Sequence, residues 1–102
     1  MQQLINVREL RRRTTDYVAR ASGGDPVLVK RNSRVVAVLR PAKRGEVIPR
    51  YSVRDLHRHA GRILRAVEEG PLVIGWYGRR AAVLAPVPPD FLQAGESTEE
   101  GQ

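Results

Sequence analysis

Asn6-Val7-Arg8-Glu9-Leu10 and Ser52-Val53-Arg54-Asp55-Leu56 are two spellings of one phrase, and the correspondence runs on from there. Arg12 is matched by Arg58 and Gly24 by Gly70. One residue then drops out of a loop, after which Pro26-Val27-Leu28-Val29 falls on Pro71-Leu72-Val73-Ile74. Ala37-Val38-Leu39 and Pro41 fall likewise on Ala82-Val83-Leu84 and Pro86. Apolar positions, punctuation and order all agree, so residues 5–41 and 51–86 read as diverged copies of one supersecondary unit. The chain has 102 residues. A copy by itself buries too little apolar surface to stand alone, and packing two together removes that shortage.

Each copy reads as a short strand, a broken or continuous amphipathic helix, and a β-hairpin. Leu10, Thr14, Tyr17, Val18 and Ala21 lie on one helical face, and Leu56, Ala60, Ile63, Leu64 and Val67 repeat the pattern. Arg12, Arg13, Asp16 and Arg20 take the opposite face in copy 1, and Arg58, His59, Arg62 and Arg65 take it in copy 2. Asn6 and Ser52 are suited to cap the helix starts. Glu9 is expected to complete a capping box with Asn6, and Asp55 to do so less well with Ser52. Gly23-Gly24 and Gly70 should stop the helices. Val27–Val29 with Val35–Leu39, and Leu72–Ile74 with Ala81–Leu84, should form hairpins turning at Asn32-Ser33 and at Gly78, with Pro41 and Pro86 ending the second strands. The organisation expected is a module over 1–44, a linker over 45–50, a diverged module over 51–87, and an acidic, disordered tail over 88–102.

The formal net charge of +7 is unevenly spread. Residues 1–44 carry eleven Arg and Lys against three acids, and residues 90–102 carry four acids and no base. A basic body of this kind attracts a polyanion, most strongly at copy 1. Solubility alone is the plainer reading of such a surface. With no cysteine, disulfides and thiolate metal sites are excluded. No apolar run approaches membrane-spanning length and the opening residues lack the build of a signal peptide, so a soluble cytoplasmic protein without a membrane partner is expected.

Ile5-Asn6-Val7-Arg8-Glu9-Leu10-Arg11, the spaced Gly24, the run Pro26 to Arg31 and the run Val35 to Leu39 together resemble the N-terminal DNA-binding module of the Phd/YefM antitoxins. The resemblance covers nearly all of copy 1 and, more loosely, copy 2. It implies two modules from two chains in a symmetric dimer around a shared sheet. That dimer binds a palindromic operator in its own promoter, and a following segment wraps and inhibits a partner toxin. Here both modules lie in one chain. The expected fold class is therefore α+β: two Phd/YefM-like β-α-β-β modules packed as an intramolecular pseudo-dimer around a shared antiparallel sheet. The polar stretch from Ala42 to Arg50, about nine residues, spans about 30 Å if extended, which permits a monomeric pseudo-dimer and equally a homodimer of half-modules.

Reading DNA needs arginines near phosphates and base edges on rigid elements. The resemblance puts Arg11 and Arg31 at positions that contact DNA. Arg8, Arg12, Arg13, Lys30 and Arg34 are candidate phosphate contacts, with Asn6 and Thr15 as neutral donors. A solvated charge on the polar helix face is the plainer alternative for Arg12 and Arg13. Copy 2 departs from the pattern, with His57 at the position of Arg11 and Trp76 at that of Arg31. Either it contacts DNA through Arg54, Arg58, Arg79 and Arg80, or it is kept for its fold, with Trp76 and Tyr77 as an aromatic patch for a partner protein. Plain hairpin packing of Trp76 is the third alternative. Phe91 and Leu92 are the only large apolar anchors of the tail.

No nucleophile, metal or cofactor site is recognisable, and His57 and His59, two apart on a helix, cannot share a metal. The expected function is a non-enzymatic, sequence-specific repressor that binds double-stranded operator DNA and autoregulates its operon. The rivals are an antitoxin that acts chiefly by neutralising a cognate toxin and a basic nucleoid protein of low specificity.

Overall fold

In a computed structural model, residues 3–87 are described, and they form a mixed α+β fold. The expectations for the tail, Phe91 and Leu92 among them, lie outside those residues. Strand β1 (Gln3–Asn6) leads into helices α1 (Val7–Arg12) and α2 (Thr14–Ser22), then the hairpin β2 (Val27–Arg31) and β3 (Arg34–Arg40). The second copy repeats this as β4 (Tyr51–Ser52), α3 (Val53–Arg58), α4 (Ala60–Ala66) with a 3-10 turn over Val67–Glu69, β5 (Leu72–Trp76) and β6 (Arg79–Pro86).

All six strands join one sheet in the order β1-β2-β3-β6-β5-β4. The copies meet where β3 pairs antiparallel with β6, and Leu39 stands directly opposite Leu84, its own counterpart in the repeat. On either side Val38 faces Ala85 and Arg40 faces Val83, a register unchanged when the copies are exchanged. The sheet is not wholly antiparallel as expected: β1 pairs parallel with β2, and β4 with β5. The reason is the helical connection, since a chain that leaves a strand through helices and returns beside it arrives in the same direction.

The helices cover one face of this sheet. Beneath them a single core draws on both copies, with Leu10, Leu39, Leu56, Ile63, Ile74 and Leu84 fully buried. Each such side chain stabilises the fold by about 2 kcal/mol through apolar burial. The ten positions assigned to the two apolar helix faces are all buried, Thr14 included. On the opposite face Val73, Val83 and Ala85 form a smaller cluster with Val38 and Ala42. The connection from β3 to β4 runs there and is tied down. The Arg40 guanidinium grips both carboxylate oxygens of Glu46 at 2.8 Å, and the backbone N–H of Arg50 donates to the carbonyl of Val73 at 2.8 Å.

Local chemistry explains the ends of the elements and reverses the expectation for the two capping boxes. The complete capping box is in copy 2: Ser52 Oγ accepts from the Asp55 N–H at 3.0 Å, and Asp55 Oδ2 accepts from the Ser52 N–H at 3.0 Å. In copy 1 Asn6 accepts from the Glu9 N–H at 2.8 Å, but the Glu9 carboxylate instead accepts from the buried Tyr17 hydroxyl at 3.3 Å. The tertiary partner thus takes Glu9 away from the cap. Pro86 ends its strand as expected, being the last paired residue of β6, opposite Ala37. Proline is tolerated at that terminal position because no further ladder bond is required of it. Both hairpins turn through two left-handed residues, Asn32 and Ser33 (φ 53° and 66°) in one and Tyr77 and Gly78 (φ 52° and 78°) in the other. That is the turn whose twist matches paired strands.

Candidate nucleic-acid interface

The helix of each copy is broken at the same place, at Arg13 (φ −132°, ψ 45°) and His59 (φ −127°, ψ 38°). A break leaves carbonyls at the end of the first helix without intrahelical donors. In copy 1 they are met from outside the helix backbone. The Thr14 hydroxyl donates to the Leu10 carbonyl at 2.7 Å, and His57 Nδ1 lies 2.7 Å from the Arg11 carbonyl across the junction. A carbonyl only accepts, so His57 must carry its proton on Nδ1. The Thr14 hydroxyl, whose proton points to Leu10, stands 3.5 Å from the same nitrogen. His57 is therefore a clasp between the copies, leaving Nε2 for solvent or ligand. Sequence reasoning identified its match to Arg11 but not that the two counterparts would touch.

Beside this clasp is a shallow groove of about 440 Å³, lined by Arg12, Arg13, Thr15 and Asp16 of copy 1 and by Arg54, His57 and Trp76 of copy 2. Three guanidinium groups from two repeats thus converge on one concavity, with a single carboxylate among its lining residues. Two further grooves show how the copies interlock. Arg31 and Arg34, at the tip of the first hairpin, line about 320 Å³ with Leu64, Arg65 and Glu68 from the second copy. Trp76, Arg79 and Arg80, at the tip of the second hairpin, line about 440 Å³ with Thr15, Val18 and Ser22 from the first. Each hairpin tip lies against the other copy's second helical segment. The β-bulges at Val29/Lys30 and Ile74/Gly75 fall just before these tips and redirect their side chains.

The residues expected to contact DNA are accordingly spread over two regions. Arg8, Arg11, Arg12, Arg13, Arg54 and Arg58 are exposed on the helices or at their break, and Arg34 and Arg79 are exposed where the second hairpin strands begin. Lys30 and Arg31 are half-buried at the end of β2. Asn6 spends its carbonyl oxygen on the cap, leaving its amide N–H groups free to donate. Arg80 is exposed but partly engaged, since one of its Nη atoms donates to the carbonyls of Lys43 and Glu46 at 3.3 and 3.2 Å. Trp76 is 43% and Tyr77 88% exposed, so neither is core. Their rings meet edge to face with centroids 5.0 Å apart. No family model, no curated protein and no solved structure matches the chain.

Among the described residues no group of three His, Cys, Asp or Glu side chains could hold a metal ion, and no helix is long and apolar enough to cross a membrane. What the surface offers is fixed positive charge, hydrogen-bond donors and two exposed aromatic rings on a rigid sheet.

Proposed function

We propose that this chain is a sequence-specific DNA-binding repressor, a single-chain pseudo-dimer of two Phd/YefM-like modules that acts in the cytoplasm on the promoter of its own operon. One observation carries the reading. His57 and Trp76 line one groove together with Arg12, Arg13 and Arg54. Their counterparts in the repeat are Arg11 and Arg31, the two residues singled out for DNA contact by resemblance. Exchange of the copies turns the remaining lining residues Arg12, Arg13, Asp16 and Arg54 into Arg58, His59, Arg62 and Arg8. By the repeat, the corresponding residues of the other half are Arg8, Arg11, Arg31, Arg58 and Arg62, of which Arg31 lines the groove it shares with Arg34 and Arg65. Two basic residue sets related by the symmetric β3–β6 register suit two half-sites of a duplex, one strongly and one weakly charged.

Capture would be electrostatic, with each neutralised phosphate releasing counterions, and register would be set by Arg11 and Arg31 at base edges or groove phosphates. The unequal charge of the two residue sets predicts an imperfect palindrome. The test is binding to the DNA upstream of the chain's own gene, against a random duplex of equal length, over a salt series. A preference of about a thousandfold or more is expected, with Arg31→Ala and Arg11→Ala each removing most of it. Equal affinity for both duplexes at every salt concentration would refute a repressor and leave a non-specific basic surface.

A further inference from the structure

We propose that the second hairpin is a base-contacting aromatic tip: Tyr77, braced edge-on by Trp76, stacks on a nucleobase of the DNA whose phosphates Arg12, Arg13, Arg54 and Arg79 hold. The inference rests on the DNA-binding reading above and concerns what copy 2 contributes to it.

The first argument is strain without a folding return. Tyr77 occupies the first left-handed position of its turn, at φ 52°. A bulky side chain rarely adopts that conformation, whereas asparagine does so readily. Copy 1 has Asn32 at the same position, so the fold is built there without an aromatic residue. Tyr77 gains no burial in exchange, being 88% exposed. A residue held in a disfavoured conformation with its ring in solvent points to a function outside the fold.

The second argument is the company it keeps. Trp76 braces the ring edge-on at 5.0 Å while itself lining the groove with Arg12, Arg13 and Arg54. Arg79 is exposed directly across the turn and pairs with Trp76 in the strand register. A flat apolar ring at the tip of a rigid hairpin, with guanidinium groups alongside, complements a polymer of flat bases strung on phosphates. Aromatic rings bind bases by stacking and tolerate any sequence, since every base has a π face. In copy 1 the same tip carries Asn32 and Ser33 beside Arg31 and Arg34, a purely polar contact. The two hairpins therefore divide the work, one through charge and hydrogen bonds and the other through stacking. A kinked step of the duplex and an unpaired nucleotide both present the same π face.

Trp76 is the only tryptophan, so its emission reports on this tip alone. The full chain is titrated with three ligands: its bound duplex, the same duplex with one unpaired base, and an inorganic polyphosphate of matched charge. Anisotropy of labelled DNA records binding independently. Stacking predicts quenching of Trp76 by DNA and not by polyphosphate. Stronger quenching by the second duplex assigns the base to an unpaired nucleotide, and equal quenching to a kinked step. Tyr77→Asn, which installs the preferred Asn-Gly turn and so preserves the hairpin, should weaken DNA binding about tenfold with an unchanged salt slope. Undiminished Trp76 emission while anisotropy reports full binding, with Tyr77→Asn binding like the parent, would overturn the inference and leave the repressor reading intact. Absence of any anisotropy change would overturn both.

Discussion

Leu39→Ala tests whether the two copies are one folding unit. Leu39 and Leu84 are fully buried, face each other across the β3–β6 pairing that joins the copies, and lie in a core drawn from both. Removing the three outer carbons of a leucine in such a site costs about 3 kcal/mol, the lost transfer energy plus the cavity left behind. A domain of this size is stable by on the order of 5–15 kcal/mol, so the variant should still fold at low temperature. With a urea slope of about 1.2 kcal/mol/M the midpoint falls by about 2.5 M, and the melting temperature by about 12–20 °C. Far-UV circular dichroism follows the whole fold, while Trp76 emission follows copy 2. One shared core requires the two probes to move together and by the same amount, although the substitution lies in copy 1. A Trp76 transition left at its parental midpoint while the dichroism shifts, or two separated transitions, would refute the argument that the repeats cannot stand apart. Leu39→Ala with Leu84→Ala should cost less or more than the sum of the single changes, because neighbours in one cavity are not additive.

Other consequences follow from particular contacts. Ser52→Ala removes the hydroxyl that accepts from the Asp55 N–H while the Ser52 N–H still donates to the Asp55 carboxylate, and should lower stability by about 1 kcal/mol in urea denaturation. Gly75→Ala would set a methyl carbon 2.7 Å from Pro49 Cβ, so it should destabilise by about 1–3 kcal/mol through forced displacement of the connection, readable as a lower thermal midpoint. The hydrogen bonds from Arg40, above all, hold the Glu46 carboxyl at about 2 against an ordinary value of 4.5. Its folded value lies below its unfolded one, so the stability it contributes is complete above pH 4.5 and is lost as pH falls toward about 2. Partial exposure screens the pair to on the order of 1 kcal/mol, and Glu46→Gln should flatten the stability profile in that window and nowhere else. Arg12→Ala and Arg54→Ala should each weaken binding to all duplexes alike and reduce the salt slope by about 1.

The sequence by itself determined the repeat, its β-α-β-β order, both apolar helix faces and both hairpin turns. These are local or periodic properties: Leu10 to Ala21 and Leu56 to Val67 recur at helical spacing, and Asn32-Ser33 and Gly78 mark where chains reverse. It also marked the basic character of copy 1 and the substitution of Trp76 for Arg31. Tertiary structure decided what depends on distance through space. It made the outer strand pairings parallel, because the helices carry each strand's return alongside it. It chose one continuous sheet over two separate half-modules, because Leu39 and Leu84 could be buried against each other. It moved Glu9 from the cap to Tyr17, gave His57 the orphaned carbonyl of its own counterpart, and brought Arg12 and Arg13 beside Arg54 and Trp76. None of these follows from spacing along the chain: the parallel pairings and the Glu9–Tyr17 contact come from how each copy folds its helices onto its own strands, and the others join groups that only the packing of one copy on the other brings within a few ångströms.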